Sequence, residues 1–190
     1  EQEVDRLGSA LAEADRRLEN AARTDFLTGL PNRRRFLERA ESERQALRRT
    51  GRGFALIRVD LDHLRAINRR YGSECGDRVL VAVASTLRDT LRERDVAARW
   101  GSEEFVLLLP ETDLDGARTL AEKVRSRIAS LRVVHGDREL EVTCTLGLSE
   151  ADLGDSIDAL AARADAALVA GKSAGGDRVE VWTPETPAGG

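Results

Sequence analysis

The stretch Arg99-Trp100-Gly101-Ser102-Glu103-Glu104-Phe105 constrains this chain more than any other. Val96 to Trp100 is short, apolar and extended, and Phe105-Val106-Leu107-Leu108-Leu109 is a buried-strand run that stops at Pro110. Gly101-Ser102 supplies the reversal between them, so the segment reads as a hairpin with Glu103 and Glu104 at its tip. Two glutamates at a turn are ordinarily solvated, and for the pair taken alone that plain reading stays open.

A third acid sharpens the pattern. Asp60 follows Phe54-Ala55-Leu56-Ile57-Arg58-Val59 and ends what reads as a buried strand. If this strand lies beside the hairpin in one sheet, Asp60 and Glu103 converge at one rim. That arrangement suits a magnesium ion, which takes oxygen ligands, few carboxylates, and water or phosphate for the rest. From spacing alone, acids that merely mark strand ends remain the alternative.

Composition narrows the class. The 190 residues hold one domain of common size after a helical lead and a short tail, and 41% hydrophobic with 34% charged residues fits a soluble globular chain. No apolar run approaches the roughly 20 residues a membrane helix needs. The net charge of −4 argues against a nucleic-acid surface, although Arg33-Arg34-Arg35 and the Arg48 to Arg52 region are locally basic. Cys75 and Cys144 have no paired metal-ligand spacing, which is consistent with a reducing, cytoplasmic compartment. The sequence starts at Glu1 without a methionine or signal-peptide pattern, so we expect a fragment whose upstream part holds a sensor or membrane region.

Along the chain, Val4, Leu7, Leu11, Ala14, Leu18 and Ala21 repeat in steps of three and four, the pattern of a coiled coil weakened by alanine at two seam positions. A single helix packed on its own domain carries a similar stripe. Thr24-Asp25 breaks the pattern. Pro31 is expected in the first turn of a helix from Asn32 to Thr50, which Gly51-Arg52-Gly53 ends. After the strand to Asp60 come a helical stretch with Leu64 and Ile67, a loop from Tyr71 to Gly76, and a helix through Val79, Leu80, Val83, Leu87 and Leu91. Beyond the hairpin, Thr112 is expected to cap a helix burying Ala117, Leu120, Ala121, Val124, Ile128 and Leu131. Arg132 to His135, a Gly136-Asp137 turn, and alternating Leu140, Val142, Cys144, Leu146 and Leu148 read as a half-buried strand pair. A helix from Ser156 to Ala170 and a strand from Val179 to Trp182 complete the order. The expected fold is α/β (α+β), a mixed central sheet flanked by helices, with boundaries 1–23 for the coiled-coil helix, 24–182 for the domain and 183–190 for a loose tail. Ala170-Gly171-Lys172-Ser173 is not a P-loop, because a glycine would be needed at Ala166 and a strand, not a helix, before it.

The residues also carry a family resemblance. Arg99 to Phe105 resembles the signature of the GGDEF diguanylate cyclases in its Gly-Gly-Glu-Glu-Phe form, with Ser102 in place of the second glycine. Three further blocks match in order: Asp25-Phe26-Leu27-Thr28-Gly29-Leu30-Pro31-Asn32-Arg33-Arg34-Arg35-Phe36, then Asp60-Leu61-Asp62-His63 through Asn68 to Gly76-Asp77, then Ala164-Asp165-Ala166-Ala167-Leu168. The resemblance implies a palm-like fold shared with nucleotide cyclases, and an enzyme that joins two GTP molecules into cyclic di-GMP with release of two pyrophosphates. It implies a homodimer, paired through the N-terminal helix, in which each protomer supplies half of the site.

By the same resemblance, Asp60, the Leu61 carbonyl and Glu103 would hold magnesium, with manganese as the alternative ion, and Glu103 or Glu104 would accept the hydroxyl proton. Asn68 and Asp77 match guanine-reading positions, Arg65 and Lys172 match phosphate contacts, and Gly101 and Ser102 line the nucleotide. Arg92-Glu93-Arg94-Asp95 matches an RxxD inhibitory site for the product, through Arg92 and Asp95. Plain alternatives stand beside these: a helix-terminal Asn68, an Asp77 that serves a helix N-terminus, a salt-bridged Arg65, and a cationic helix end at Arg92. The chain departs from the family at Ser102, where a positive φ would strain the residue, at Arg65 for a usual lysine, Gly176 for a phosphate-contacting arginine, Val169 for a tyrosine and Ser73 for a histidine. The competing expectation is a non-catalytic domain that binds GTP or cyclic di-GMP as a regulator.

Overall fold

The computed structural model describes residues 23–184. The heptad segment and the tail beyond 184 lie outside the described residues. Helix α1 (Arg33–Thr50) is fixed at both ends by local chemistry: Asn32 Oδ1 accepts the Arg35 N–H at 3.1 Å, and Gly51, at φ 72°, returns its N–H to the Leu47 carbonyl. Strand β1 (Phe54–Leu61) follows, then α2 (Leu64–Tyr71) and α3 (Ser73–Thr90). The hairpin is β2 (Val96–Arg99) and β3 (Glu104–Pro110), and α4 (Leu114–Ala129) comes next. Short strands β4 (Val133–His135) and β5 (Arg138–Leu140) pair with each other, before β6 (Cys144–Glu150), α5 (Ile157–Ser173) and β7 (Val179–Val181).

The main sheet has the order β2-β3-β1-β6-β7, antiparallel throughout except for the parallel β6–β7 pair joined by the α5 crossover. The mixed sheet flanked by helices is therefore as expected. Strand β1 lies at its centre, and its continuous apolar run has a physical cause: both faces are covered. Ala55, Ile57, Val59 and Leu61 pack with Val83 and Leu87 of α3 and Ala121, Val124 and Ile128 of α4. Phe54 and Leu56 face the other way, against Phe36 and Ala40 of α1 and Leu160 and Ala164 of α5.

Several local expectations are corrected. Residues 71–76 are not a loop, because α2 runs to Tyr71 and α3 begins at Ser73 with Gly72, at φ 91°, as the corner. Asp77 thus sits in the second turn of α3, not at its first residues. The cap of α4 is Asp113, whose Oδ1 accepts the Gly116 N–H at 2.8 Å, while the Thr112 hydroxyl donates to the Pro110 carbonyl. Pro31 precedes the Asn32 cap and bridges Thr24. The alternating run from Leu140 to Leu148 is divided: β5 turns back on β4, and β6 joins the main sheet with Thr145 and Ser149 buried as fully as Leu146 and Leu148. It is not half-buried because α5 lies on its second face.

That contact is unusually close. A Cβ at Gly147 would stand 2.2 Å from the Ala164 carbonyl oxygen and 2.4 Å from the Leu168 nitrogen. Only glycine lets the strand meet the helix backbone there. Gly147→Ala is expected to destabilise the fold by about 1–3 kcal/mol, the usual range for overpacking, read as a lower urea midpoint. A shift within about 0.5 kcal/mol of the parent would mean the approach is not made in solution.

Candidate active site

Strand pairing gathers the acids. Asp60 stands directly opposite Glu104 across β1 and β3, and the Leu61 N–H donates to the Glu103 carbonyl at 3.1 Å. Opposed residues of an antiparallel pair point to the same side, so Asp60 and Glu104 share the face covered by α1 and α5. The convergence of Asp60 with the hairpin tip is what the sequence required for a cation site. Asp60 Oδ1 is buried and accepts no hydrogen bond among the described residues. Burial first, and then the charges of Glu103 and Glu104, push its carboxyl up to about 6 against the opposing pull of Lys172.

Lys172, in the last turn of α5, is one of the cations at this rim. Its Nζ donates to Asp62 Oδ1 at 2.7 Å and lies 3.5 Å from Asp60 Oδ1 and 3.4 Å from the Leu61 carbonyl oxygen. Asp62 itself is almost fully enclosed. Its carboxylate also accepts from Thr143 Oγ1 at 2.7 Å, Thr145 Oγ1 at 2.8 Å and the Asp177 N–H at 2.9 Å. Burial raises its pKa, but these donors outweigh burial and hold the carboxyl below its ordinary value. Gly175, Gly176 and Asp177 all have positive φ, and a Cβ at Gly176 would stand 3.1 Å from Asp62 Oδ1. Glycine at 176 thus serves the turn that brings the Asp177 N–H to Asp62.

The hairpin tip is strapped by one side chain. Arg99 Nε donates to the Gly101 carbonyl at 2.6 Å and its NH2 to the Ser102 carbonyl at 2.5 Å, while its NH1 lies 3.6 Å from Asp25 Oδ2. The Trp100 and Gly101 N–H groups both donate to the Glu104 carbonyl. A Cβ at Gly101 would lie 2.9 Å from Glu104 Oε2, so the glutamate carboxylate packs into the space the glycine leaves, and no positive φ is involved. Ser102 is exposed and is not among the positive-φ residues, which removes the strain anticipated for it.

Arg65 Nε is 3.0 Å from Glu103 Oε1, and the Arg65 side chain is 84% exposed. With Asn68 and Arg69 it lines an open cavity of about 540 Å³. Asn68 lies in the last turn of α2 with its Oδ1 buried and without a hydrogen bond among the described residues. A Cβ at Gly76 would fall 1.8 Å from that oxygen, so this glycine makes room for the amide. Asp77 is exposed on α3, and its charge reaches Arg99.

Arg92 and Asp95 lie elsewhere. They close a turn beyond α3, in which the Arg92 N–H donates to Asp95 Oδ2 and the Asp95 N–H to the Arg92 carbonyl, both at 3.0 Å. The segment is therefore no helix end. Clefts of about 520 and 480 Å³ open on either side of it. Strand β2 separates this turn from the Gly101 turn by roughly 10–15 Å at about 3.3 Å per residue.

The sequence reading did not single out Asp62, Arg99 or Arg58. The signal for Arg58 was present: a charge inside an apolar run must find acids if the strand is buried on both faces. Its NH2 is 3.2 Å from Glu104 Oε2 and its NH1 is 3.0 Å from Asp165 Oδ1. Ala170 to Ser173 ends a helix instead of starting one, so no P-loop exists there. Both cysteines are buried, and burial raises both thiols. Among the described residues no three His, Cys, Asp or Glu side chains cluster to hold a metal, and no helix is long and apolar enough to cross a membrane. Two carboxylates with a carbonyl still suit magnesium, which leaves its remaining positions to water and phosphate. The unbonded Asp60 Oδ1 and the ammonium drawn against it mark a place that favours a cation.

The family model described as "Diguanylate cyclase, GGDEF domain" matches residues 22–178. The diguanylate cyclase DgcP of Pseudomonas aeruginosa is 42% identical over 160 residues, covering 84% of this chain but only 24% of its own length. Among solved structures, the diguanylate cyclase SiaD of Pseudomonas aeruginosa, in complex with its activator SiaC, superposes with a TM-score of 0.83 at 39% identity, covering 94% of this chain and 68% of that one. The coiled coil and GGDEF domain of DgcB from Caulobacter crescentus, in complex with c-di-GMP, gives 0.84 at 28% identity, covering 95% and 100%.

The raised Asp60 pKa has a sign that stability can read. An acid whose folded pKa lies above its unfolded value of 3.8 binds a proton more tightly when folded, so its contribution falls as pH rises from about 4 to about 6. In metal-free buffer Asp60→Asn should therefore melt above the parent at pH 8, and the gap should close below pH 4. A variant that melts below the parent at pH 8 would sink this assignment.

Proposed function

The chain belongs to the GGDEF family of diguanylate cyclase domains, and from that premise we propose that it condenses two GTP molecules into cyclic di-GMP with release of two pyrophosphates. The observation that carries the proposal is the pairing of β1 with β3, which draws Asp60, Glu103 and Glu104 to one rim beside Lys172 and Arg65. Asp60, the Leu61 carbonyl and Glu103 would hold magnesium, or manganese in its place, which supplies charge neutralisation at the phosphates and a lower pKa for the attacking hydroxyl.

The remaining work belongs to this chain's own residues. Asp77 accepts from the N1 and N2 hydrogens of guanine, and the Asn68 amide donates and accepts at the base. Arg65 and Lys172 meet phosphate oxygens, Gly101 and Ser102 line the nucleotide, and Glu103 or Glu104 takes the proton from the 3′-hydroxyl. One protomer holds one GTP, so two copies must face each other, brought together by a coiled coil over 1–23 that precedes the domain at 24–182. Arg92 and Asp95 bind the product and hold the half-sites apart, since an arginine fork grips phosphate and a carboxylate accepts from guanine. A cytoplasmic setting downstream of a sensor, without nucleic acid as a partner, completes the reading. The rival regulator reading, which draws on Ser102 and Gly176, keeps the added Cβ at Ser102 but not a backbone strain there.

Two experiments test the proposal. Incubated with GTP and magnesium, the protein should release pyrophosphate and form cyclic di-GMP, and Glu103→Gln should cut the rate by about 10²-fold or more, as loss of a charge at a reacting centre does, with an unchanged melting point. Near-normal turnover in the variant would overturn the site. Arg92→Ala should leave the initial rate little changed while product accumulates further and tight cyclic di-GMP binding disappears in calorimetry. A variant that stalls at the parent's product level would remove the inhibitory role.

A further inference from the structure

We infer that Arg58 is a positioning residue: it ties Glu104 down as a strut of the hairpin and so leaves Glu103 as the acid that meets substrate. The inference rests on the cyclase reading of this rim. Arg58 lies two residues before Asp60 in the central strand, on the same face, with a side chain only 5% exposed. Burial pulls the Arg58 pKa down, and the charges of Asp165 and Glu104 oppose that shift, so the buried guanidinium depends on its partners to stay charged. They come from three elements. Glu104 Oε2 on β3 is 3.2 Å from NH2, Asp165 Oδ1 on α5 is 3.0 Å from NH1, and the Trp100 ring at the end of β2 lies 4.7 Å from the guanidinium carbon.

The two glutamates of the tip are therefore held differently. Glu104 is gripped by a buried cation, its carbonyl receives two N–H groups of the turn, and its carboxylate fills the space that a Gly101 Cβ would need. Glu103 faces the mostly exposed Arg65, a pair that substrate phosphate can exchange at little cost. Trp100 adds to the anchorage: Arg33 of α1 also lies over its ring, at 4.4 Å, and Phe36 meets it edge to face at 5.8 Å. Arg58 thus sits where α1, α5 and both hairpin strands meet, directly beneath the turn that carries Glu103. Losing it frees the Glu104 carboxylate and lets the tip move relative to Asp60. A displacement near 1 Å at a reacting centre costs on the order of 10²-fold in rate.

A double-mutant cycle on turnover tests this. Glu104→Gln and Arg58→Met should each lower kcat by about tenfold or more with KM for GTP within about threefold, and the double variant should be no slower than the slower single. Glu104→Gln should also keep clearly more activity than Glu103→Gln. Effects that multiply, parent-like turnover in Arg58→Met, or a Glu104→Gln variant as dead as Glu103→Gln would each overturn the inference. Where Arg58→Met fails to fold, Arg58→Lys takes its place in the cycle: it keeps the buried charge but cannot fork to both acids, and the same non-additivity with Glu104→Gln is expected. A parent that makes no cyclic di-GMP overturns the cyclase reading itself, whereas an active parent with independent effects overturns only the role of Arg58.

Discussion

Everything at this rim depends on the register of β1 against β3. Asp60 faces Glu104, Val59 faces Phe105 and Arg58 faces Val106, and the side chains of each pair share one face. A slip of one residue would turn Phe105 and Leu107 out of the core behind α3 and α4 and bring the tip's acids into it. In the observed register Phe105, Leu107 and Leu109 enter the core behind α3 and α4, Val106 and Leu108 enter the core behind α1 and α5, and Glu104 stands beside Asp60. The Leu61 N–H then closes the last rung onto Glu103.

Bringing Asp60, Glu103 and Glu104 to one rim is electrostatically unfavourable, and their charges add to the burial that raises the Asp60 carboxyl. The fold answers with three cations of different character. Arg58 is buried and forked between two acids, Lys172 is a partly enclosed point charge against Asp60, Asp62 and the Leu61 carbonyl, and Arg65 is exposed. Their accessibility rises in that order. The most exposed one faces Glu103, and the most buried one faces Glu104.

What could be read in advance was whatever local pattern fixes. The hairpin, the central strand and the helix from Asn32 announce themselves through apolar runs, a turn and a cap. The acids could be listed but not placed until the strands were paired. Asp62 escaped notice because its partners Thr143, Thr145, Lys172 and Asp177 lie 81 to 115 residues away in sequence. No periodicity announces such a hub. The Tyr71 to Gly76 segment was misread for the opposite reason: its glycines and polar residues look like a loop, yet Gly72 alone makes the corner, and Gly76 is helical so that Asn68 can pack on it.

Helix α5 is the element that joins these parts. Asp165 and Lys172 are seven residues apart, two turns of helix, and so lie on one face. Between them Leu168 rests on Gly147, where the strand comes close enough to touch the helix backbone. The same surface of α5 thus delivers an anion to Arg58, a cation to Asp60 and Asp62, and a flat contact to the sheet. Because the backbone contact at Gly147 leaves no slack, the two charges cannot move independently, and the geometry at Asp60 is coupled to the anchorage of Glu104 through one rigid helix. A change that shifts α5 along the sheet would disturb both acids of the rim together, although α5 itself carries neither of them.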